Sequence, residues 1–172
     1  DQDEKIRVSY YPASHVIANY CLGHTSVVSS IDVVTVSSST SSASNSTNSN
    51  AVAAVLVSGG GDGTIRSWDP KNGKLLQTIQ FDSDTLNVVD DDAKSKKNTV
   101  VVSFVAASKT SRSVTFAVVG DVKSKIYVSS INDDGTMKIN LSHELNGNVA
   151  GIIVSEESRH VVYADDKGQI AW

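Results

Sequence analysis

Residues 21–36 read CLGHTSVVSSIDVVTV, and after a polar interval residues 51–69 read AVAAVLVSGGGDGTIRSWD. These two runs decide the fold. VVSSIDVVTV (27–36) and AVAAVLV (51–57) are dense in β-branched residues and too short for a favoured helix, so both predict buried inner strands. Asp62-Gly63 separates the second run from TIRSWD, and an Asp-Gly pair is a leading hairpin signal because a type I′ turn needs positive φ. Ile65, Ser67 and Trp68 continue an extended segment. Lys71-Asn72-Gly73-Lys74 makes the next turn, and LLQTIQF (75–81) supplies an outer strand. The stretch is an antiparallel meander that opens on Gly23-His24 and carries Trp68-Asp69 at the end of its third strand.

A GH pair, two apolar strands, an Asp-Gly turn and a strand ending in Trp-Asp together make one WD-repeat blade of a β-propeller, a unit of about 40 residues. Four polar residues in this unit call for a joint explanation: His24, Ser58, Asp62 and Trp68. In WD-repeat proteins the matching residues form a buried relay, Asp to His, His to Ser, Ser to the Trp indole N–H. The types are chemically required, since a buried imidazole or indole N–H left without a partner costs about 1–3 kcal/mol. A His–Ser–Asp set also suggests a hydrolase triad. However, the order and turn context match the relay, no GxSxG nucleophile elbow is present, and His24 reads as a core strut. Residues 59–63 (GGGDG) are no phosphate loop, because GxxxxGK[ST] is missing and a strand, not a helix, follows.

The 172-residue chain is 40% hydrophobic and 20% charged, an ordinary globular composition. A formal net charge of −4 argues against a broad polyanion-binding face. Cys21 stands alone, so there is no disulfide framework, and packing is favoured over reactivity. No apolar run is long enough to predict a membrane helix, and no signal peptide is visible. Lacking an initiator Met and beginning inside a repeat, the chain reads as a fragment.

Taken in order, residues 1–22 form the end of one repeat. Asp3-x-x-Ile6 repeats the spacing of Asp62-x-x-Ile65, Arg7 falls where Arg66 falls, and Ser9 takes the place of Trp68. Residues 23–81 are the full repeat, interrupted at 37–50 by SSSTSSASNSTNSN, which predicts a disordered insertion because it cannot bury enough apolar area to offset its ordering entropy. Its Asn45-Ser46-Thr47 sequon is taken as chance. Residues 82–98 are a linker whose Asp90, Asp91 and Asp92 lack the alternating spacing of a calcium loop, so no metal site is expected. Residues 99–145 form a degenerate repeat without GH or Trp-Asp, and 146–172 a truncated one with a hairpin at Asp166-Lys167-Gly168. The fold class is therefore all-β, an incomplete WD-repeat β-propeller holding about three to four blades of a seven-bladed ring. Open end blades predict that this segment alone is marginally stable or aggregates.

The segments DQDEKIRVS, YP, CLGHTSVVSSI and LVSGGGDGTIRSWD with a following Gly-Lys turn resemble the non-catalytic WD-repeat subunit of the tRNA (guanine-N7-)-methyltransferase. Gln2 stands where that family usually carries Arg. The likeness covers residues 1–36 and 55–74; beyond residue 82 it rests on strand rhythm. It implies a heterodimer with the catalytic methyltransferase subunit, which carries the S-adenosylmethionine pocket, and tRNA engaged through that complex for N7-methylation of a variable-loop guanosine. No catalytic, cofactor-binding or metal-binding residue, small-molecule ligand or membrane is expected of this chain. Arg7 matches a basic residue that pairs with a carboxylate of the catalytic subunit, and Asp3, Glu4 and Lys5 form the adjoining charged turn. The nucleus is the expected location, with the cytoplasm second. A generic WD-repeat scaffold, such as a chromatin or ubiquitin-ligase adaptor, is the alternative; it would share the blade chemistry but not residues 3–9.

Overall fold

The computed structural model describes residues 3–36, 54–82, 100–108, 110–120, 123–145, 147–155, 161–165, 167–168 and 170–171. The Ser/Thr/Asn insertion and nearly all of the 82–98 linker, with its acidic and basic clusters, lie outside them. The described residues form thirteen strands and no helix, and all strand pairs are antiparallel.

The strands make four successive sheets that do not close into a ring. β1 (Lys5–Ser9) and β2 (Ile17–Leu22) form a hairpin. The next sheet orders β3 (Val28–Thr35), β4 (Ala54–Gly60), β5 (Thr64–Asp69) and β6 (Lys74–Gln80). It is followed by β7 (Val101–Ala107), β8 (Ser113–Val119), β9 (Ser124–Ile131) and β10 (Met137–Leu145). β11 (Val149–Val154), β12 (Val161–Asp165) and β13 (Ile170–Ala171) make the last. β13 begins just past the Lys167-Gly168 turn, where Gly168 takes φ +77°.

Matching irregularities reveal one repeated unit. β3 and β7 each shift register at their second or third residue, with Ser29 and Ser103 as the extra residues. β1 and β5 likewise shift between Val8/Ser9 and Ser67/Trp68. Aligned on these bulges, β1–β2 corresponds to β5–β6, and β7–β10 to β3–β6.

Each interface between sheets is apolar. Val34, Val55, Val57 and Ile65 meet Val102, Val105, Val114 and Phe116 in the largest core, while Ile6 and Cys21 pack with Leu56 and Trp68. Ala117, Ile126, Leu145 and Val149 join the last sheet. Polar side chains of β3 also reach the free backbone edge of β7. Ser29 donates to the Val102 carbonyl, Ser30 accepts from the Val105 N–H at 3.1 Å, and Asp32 accepts from the Ala107 N–H at 2.7 Å. An edge strand is thereby satisfied by side chains, not by a neighbouring strand.

One expectation needs correction. VVSSIDVVTV reads as a buried strand, yet Ile31 is 52% and Val33 44% exposed, whereas Val105, the counterpart of Ile31, is 8% exposed. Val105 is covered by the inner strands β3 and β4 of the sheet before it. On the Ile31 side, the described residues supply only the two-stranded β1–β2 hairpin.

Candidate functional site

His24 lies just before β3, Ser58 on β4, Asp62 in the β4–β5 turn and Trp68 on β5; the meander brings all four together. Trp68 Nε1 donates to Ser58 Oγ at 2.8 Å, Ser58 Oγ lies 2.8 Å from His24 Nε2, and His24 Nδ1 lies 3.0 Å from Asp62 Oδ2. Because Ser58 already accepts from the indole, its own proton goes to Nε2. That fixes the imidazole tautomer, with Nδ1–H donating to the carboxylate.

The electrostatics agree with a neutral imidazole. Burial pushes the His24 pKa below 6.5, against the raising pull of Asp62. Burial alone would raise the Asp62 carboxyl, but hydrogen bonds from the Thr25 N–H, the Thr64 side chain and His24 outweigh it and hold the group below 3.8. Thr64 Oγ1 donates to Asp62 Oδ1 at 2.7 Å, and Arg66 lies 3.7 Å from Oδ2.

The glycines serve this packing. A Cβ on Gly23 would stand 2.5 Å from Arg66 Nη1, and one on Gly60 would stand 2.6 Å from His24 Nδ1 and 2.8 Å from Asp62 Oδ1. Gly59 similarly lets Val102 of the next sheet approach to 2.6 Å of its missing Cβ. Residues 59–63 are therefore crowded by protein and leave no phosphate cradle. Ser58 Oγ is fully buried and engaged on both sides, so no substrate can reach it as a nucleophile.

The degenerate unit shows what the relay replaces. By register Phe116 stands where Ser58 does, Tyr127 where Arg66 does, Ser129 where Trp68 does and Phe81 where Gly23 does. Phe116 stacks on Tyr127 with ring centroids 5.4 Å apart, and Phe81 lies 5.0 Å from Tyr127 and 5.7 Å from Phe116. An aromatic cluster fills the slot that holds the polar relay one unit earlier. The sequence reading missed this cluster; the only signal was three aromatics at positions where the marker residues disappear.

Asp3, Glu4, Lys5 and Arg7 are all exposed at the start of β1. Arg7 pairs across the hairpin with Tyr20 and Lys5 with Leu22, so these four share the face turned away from the β3–β6 sheet, while Ile6 and Cys21 pack inward. The Asp3 carbonyl accepts from the Val28 N–H at 3.3 Å, and its side chain caps the Glu4 N–H at 3.1 Å. A groove of about 540 Å³ runs between this strand and β3, lined by Asp3, Lys5, Arg7, Val27 and Ile31 among others. Arg66, the counterpart of Arg7, is 12% exposed at its side chain and sits beside Asp62, the counterpart of Asp3. Ser9 Oγ, in the place of the Trp68 ring, is buried without a hydrogen-bond partner among the described residues. No group of three or more His, Cys, Asp or Glu suited to a metal occurs among the described residues.

Repeated four-stranded meanders with a GH-to-Trp relay define a partial WD-repeat β-propeller. The chain belongs to the family described as the tRNA methyltransferase TRM82 WD40 domain, which it matches over residues 1–171. It is 42% identical over 89 residues to a Dictyostelium discoideum protein named tRNA (guanine-N(7)-)-methyltransferase non-catalytic subunit, covering 52% of this chain and 16% of that protein. An Aspergillus clavatus protein of the same description is 30% identical over 172 residues, covering 99% of this chain and 29% of its own length. A human one is 39% identical over 83 residues, covering 48% of this chain and 16% of that protein. The chain thus spans under a third of the length of these curated relatives.

Proposed function

We propose that this chain is part of a non-catalytic WD-repeat subunit of a tRNA (guanine-N7-)-methyltransferase. In this reading it binds the catalytic subunit as a heterodimer, holds it in its active conformation and supports N7-methylguanosine formation in the tRNA variable loop, within the nucleus. The observation that carries it is the family match over residues 1–171. A second support is that the His–Ser–Asp constellation is spent inside the core, which leaves this chain a scaffold and not an enzyme.

Arg7 is the proposed contact with a carboxylate of the catalytic subunit, flanked by Asp3, Glu4 and Lys5. An exposed ion pair contributes under about 1 kcal/mol, whereas removing one member of a pair desolvated at an interface costs roughly 2–5 kcal/mol. The position of Arg66 beside Asp62 favours a second reading for the same residue, an Arg7–Asp3 pair inside a completed propeller. Arg7→Glu in the intact subunit separates the two. Docking predicts loss of the co-purifying catalytic subunit and of tRNA N7-methylation with an unchanged melting temperature. An internal pair predicts a lowered melting temperature of the subunit alone. Unchanged co-purification would remove Arg7 from the interface.

A further inference from the structure

Three outer hairpins of this chain hold equivalent places, and one of them differs in chemistry. β6 carries Lys74, Gln77 and Gln80 and follows the polar turn PKNG (70–73). β10 carries Lys138 and Glu144 and follows NDDGT (132–136). Charged and amide side chains are how an outer edge strand normally meets water. β2 reads IANYCL, with no charge at all, and the turn before it is YYPASHV (10–16).

The apolar side chains of this hairpin are not tucked away. Tyr11 is 97%, Leu22 60% and Tyr20 44% exposed, and Tyr10, Val16 and Ile17 are exposed beside them. Their exposure does not depend on a missing neighbour sheet. By register Tyr20 and Leu22 correspond to Thr78 and Gln80, which remain exposed although the β1–β2 hairpin packs against their sheet. The fold demands solvent-compatible residues at these positions, and two hairpins supply them. The third presents a contiguous apolar and aromatic surface, the kind that marks a protein interaction site.

We propose that the Tyr10, Tyr11, Ile17, Tyr20 and Leu22 surface of β1–β2 is the apolar anchor by which the catalytic subunit docks, taking a segment that carries carboxylates beside apolar side chains. This rests on the function proposed above. Charge decides the polar half of the match: Lys5 and Arg7 stand directly across the hairpin from Leu22 and Tyr20, so an acidic group seated there meets two cations. The patch is also continuous with the proposed Arg7 contact. Aliphatic Val16, Ile17 and Leu22 among the tyrosines, and a chain net charge of −4, favour a protein partner over RNA, whose binding is dominated by phosphate neutralisation.

The test uses the intact subunit and the separately purified catalytic subunit, with Kd measured at fixed salt for Tyr20→Lys/Leu22→Lys and, independently, Tyr10→Ser/Tyr11→Ser. The proposal expects each pair to weaken Kd about ten-fold or more while the subunit's melting temperature stays unchanged, since anchor residues dominate binding. A Kd within about two-fold of wild type for both pairs overturns it. If Arg7→Glu weakens binding and the patch variants do not, the anchor is wrong and the docking reading survives. If the wild-type subunit does not bind the catalytic subunit, both fall. Loss of tRNA binding by the subunit alone, with Kd for the catalytic subunit unchanged, would reassign the surface to RNA and overturn the proposal.

Discussion

Replacing Ser58 by Ala removes one oxygen atom and breaks the centre of the relay. Ser58 Oγ accepts from Trp68 Nε1 and is bonded to His24 Nε2, each at 2.8 Å, and all three side chains are buried. The substitution leaves an indole N–H and a ring nitrogen without partners, at about 1–3 kcal/mol each. The void is too small to hold a bridging water, which needs room for about one probe sphere and several polar partners. A loss of about 2–4 kcal/mol is expected, a large share of the roughly 5–15 kcal/mol that holds a domain folded. Urea denaturation of the intact subunit measures it. A double-mutant cycle with Trp68→Phe sharpens the reasoning: without the indole N–H, Ser58→Ala orphans only the imidazole and must cost less than in the wild type. A loss below about 0.5 kcal/mol, or full additivity in the cycle, would refute the relay as a source of stability.

Two other perturbations follow from the same core. His24 has its pKa lowered by burial, so the unfolded chain binds the proton more readily; its contribution is complete above pH 6.5 and is lost as pH falls through and below that value. Asp62, held below 3.8, adds a further loss at more acid pH, so melting temperatures recorded from pH 8 to 4 should fall in the acid limb, and His24→Gln should flatten the upper part of that fall. Phe116→Ser places a serine where Ser58 stands one unit earlier, yet no relay can form because Phe81 and Tyr127 occupy the neighbouring slots. It should cost about 3–5 kcal/mol in urea denaturation, as for a buried Phe truncated in a core; a near-neutral result would mean that the aromatic cluster does not hold this sheet.

Much of the candidate site was legible because its constraints are local and chemical. Asp62-Gly63 specifies a turn through backbone sterics alone, and Gly63 indeed takes φ +72°. A buried imidazole and indole demand partners, so a His, a Ser and an Asp at blade spacing point to one another before any coordinates exist. The substituted core of the next unit was not legible. Phe81 and Phe116 touch only because two strands from different sheets face each other, and aromatic residues carry no directional requirement that names a partner. Asp32, inside an apolar run, likewise gave no hint that it would cap the Ala107 N–H seventy-five residues on.

Amino-acid order alone thus determined the all-β character, the strand and turn rhythm and the identity of the relay, since these follow from φ restrictions, periodicity and unsatisfied polar groups within a single blade. Only the tertiary structure decided which faces are covered: why Val105 is buried and Ile31 is not, why Ser58 yields to Phe116 one unit later, and why Tyr20 and Leu22 stand in water. Burial depends on what another sheet places opposite a residue, and a strand's own sequence does not contain that neighbour.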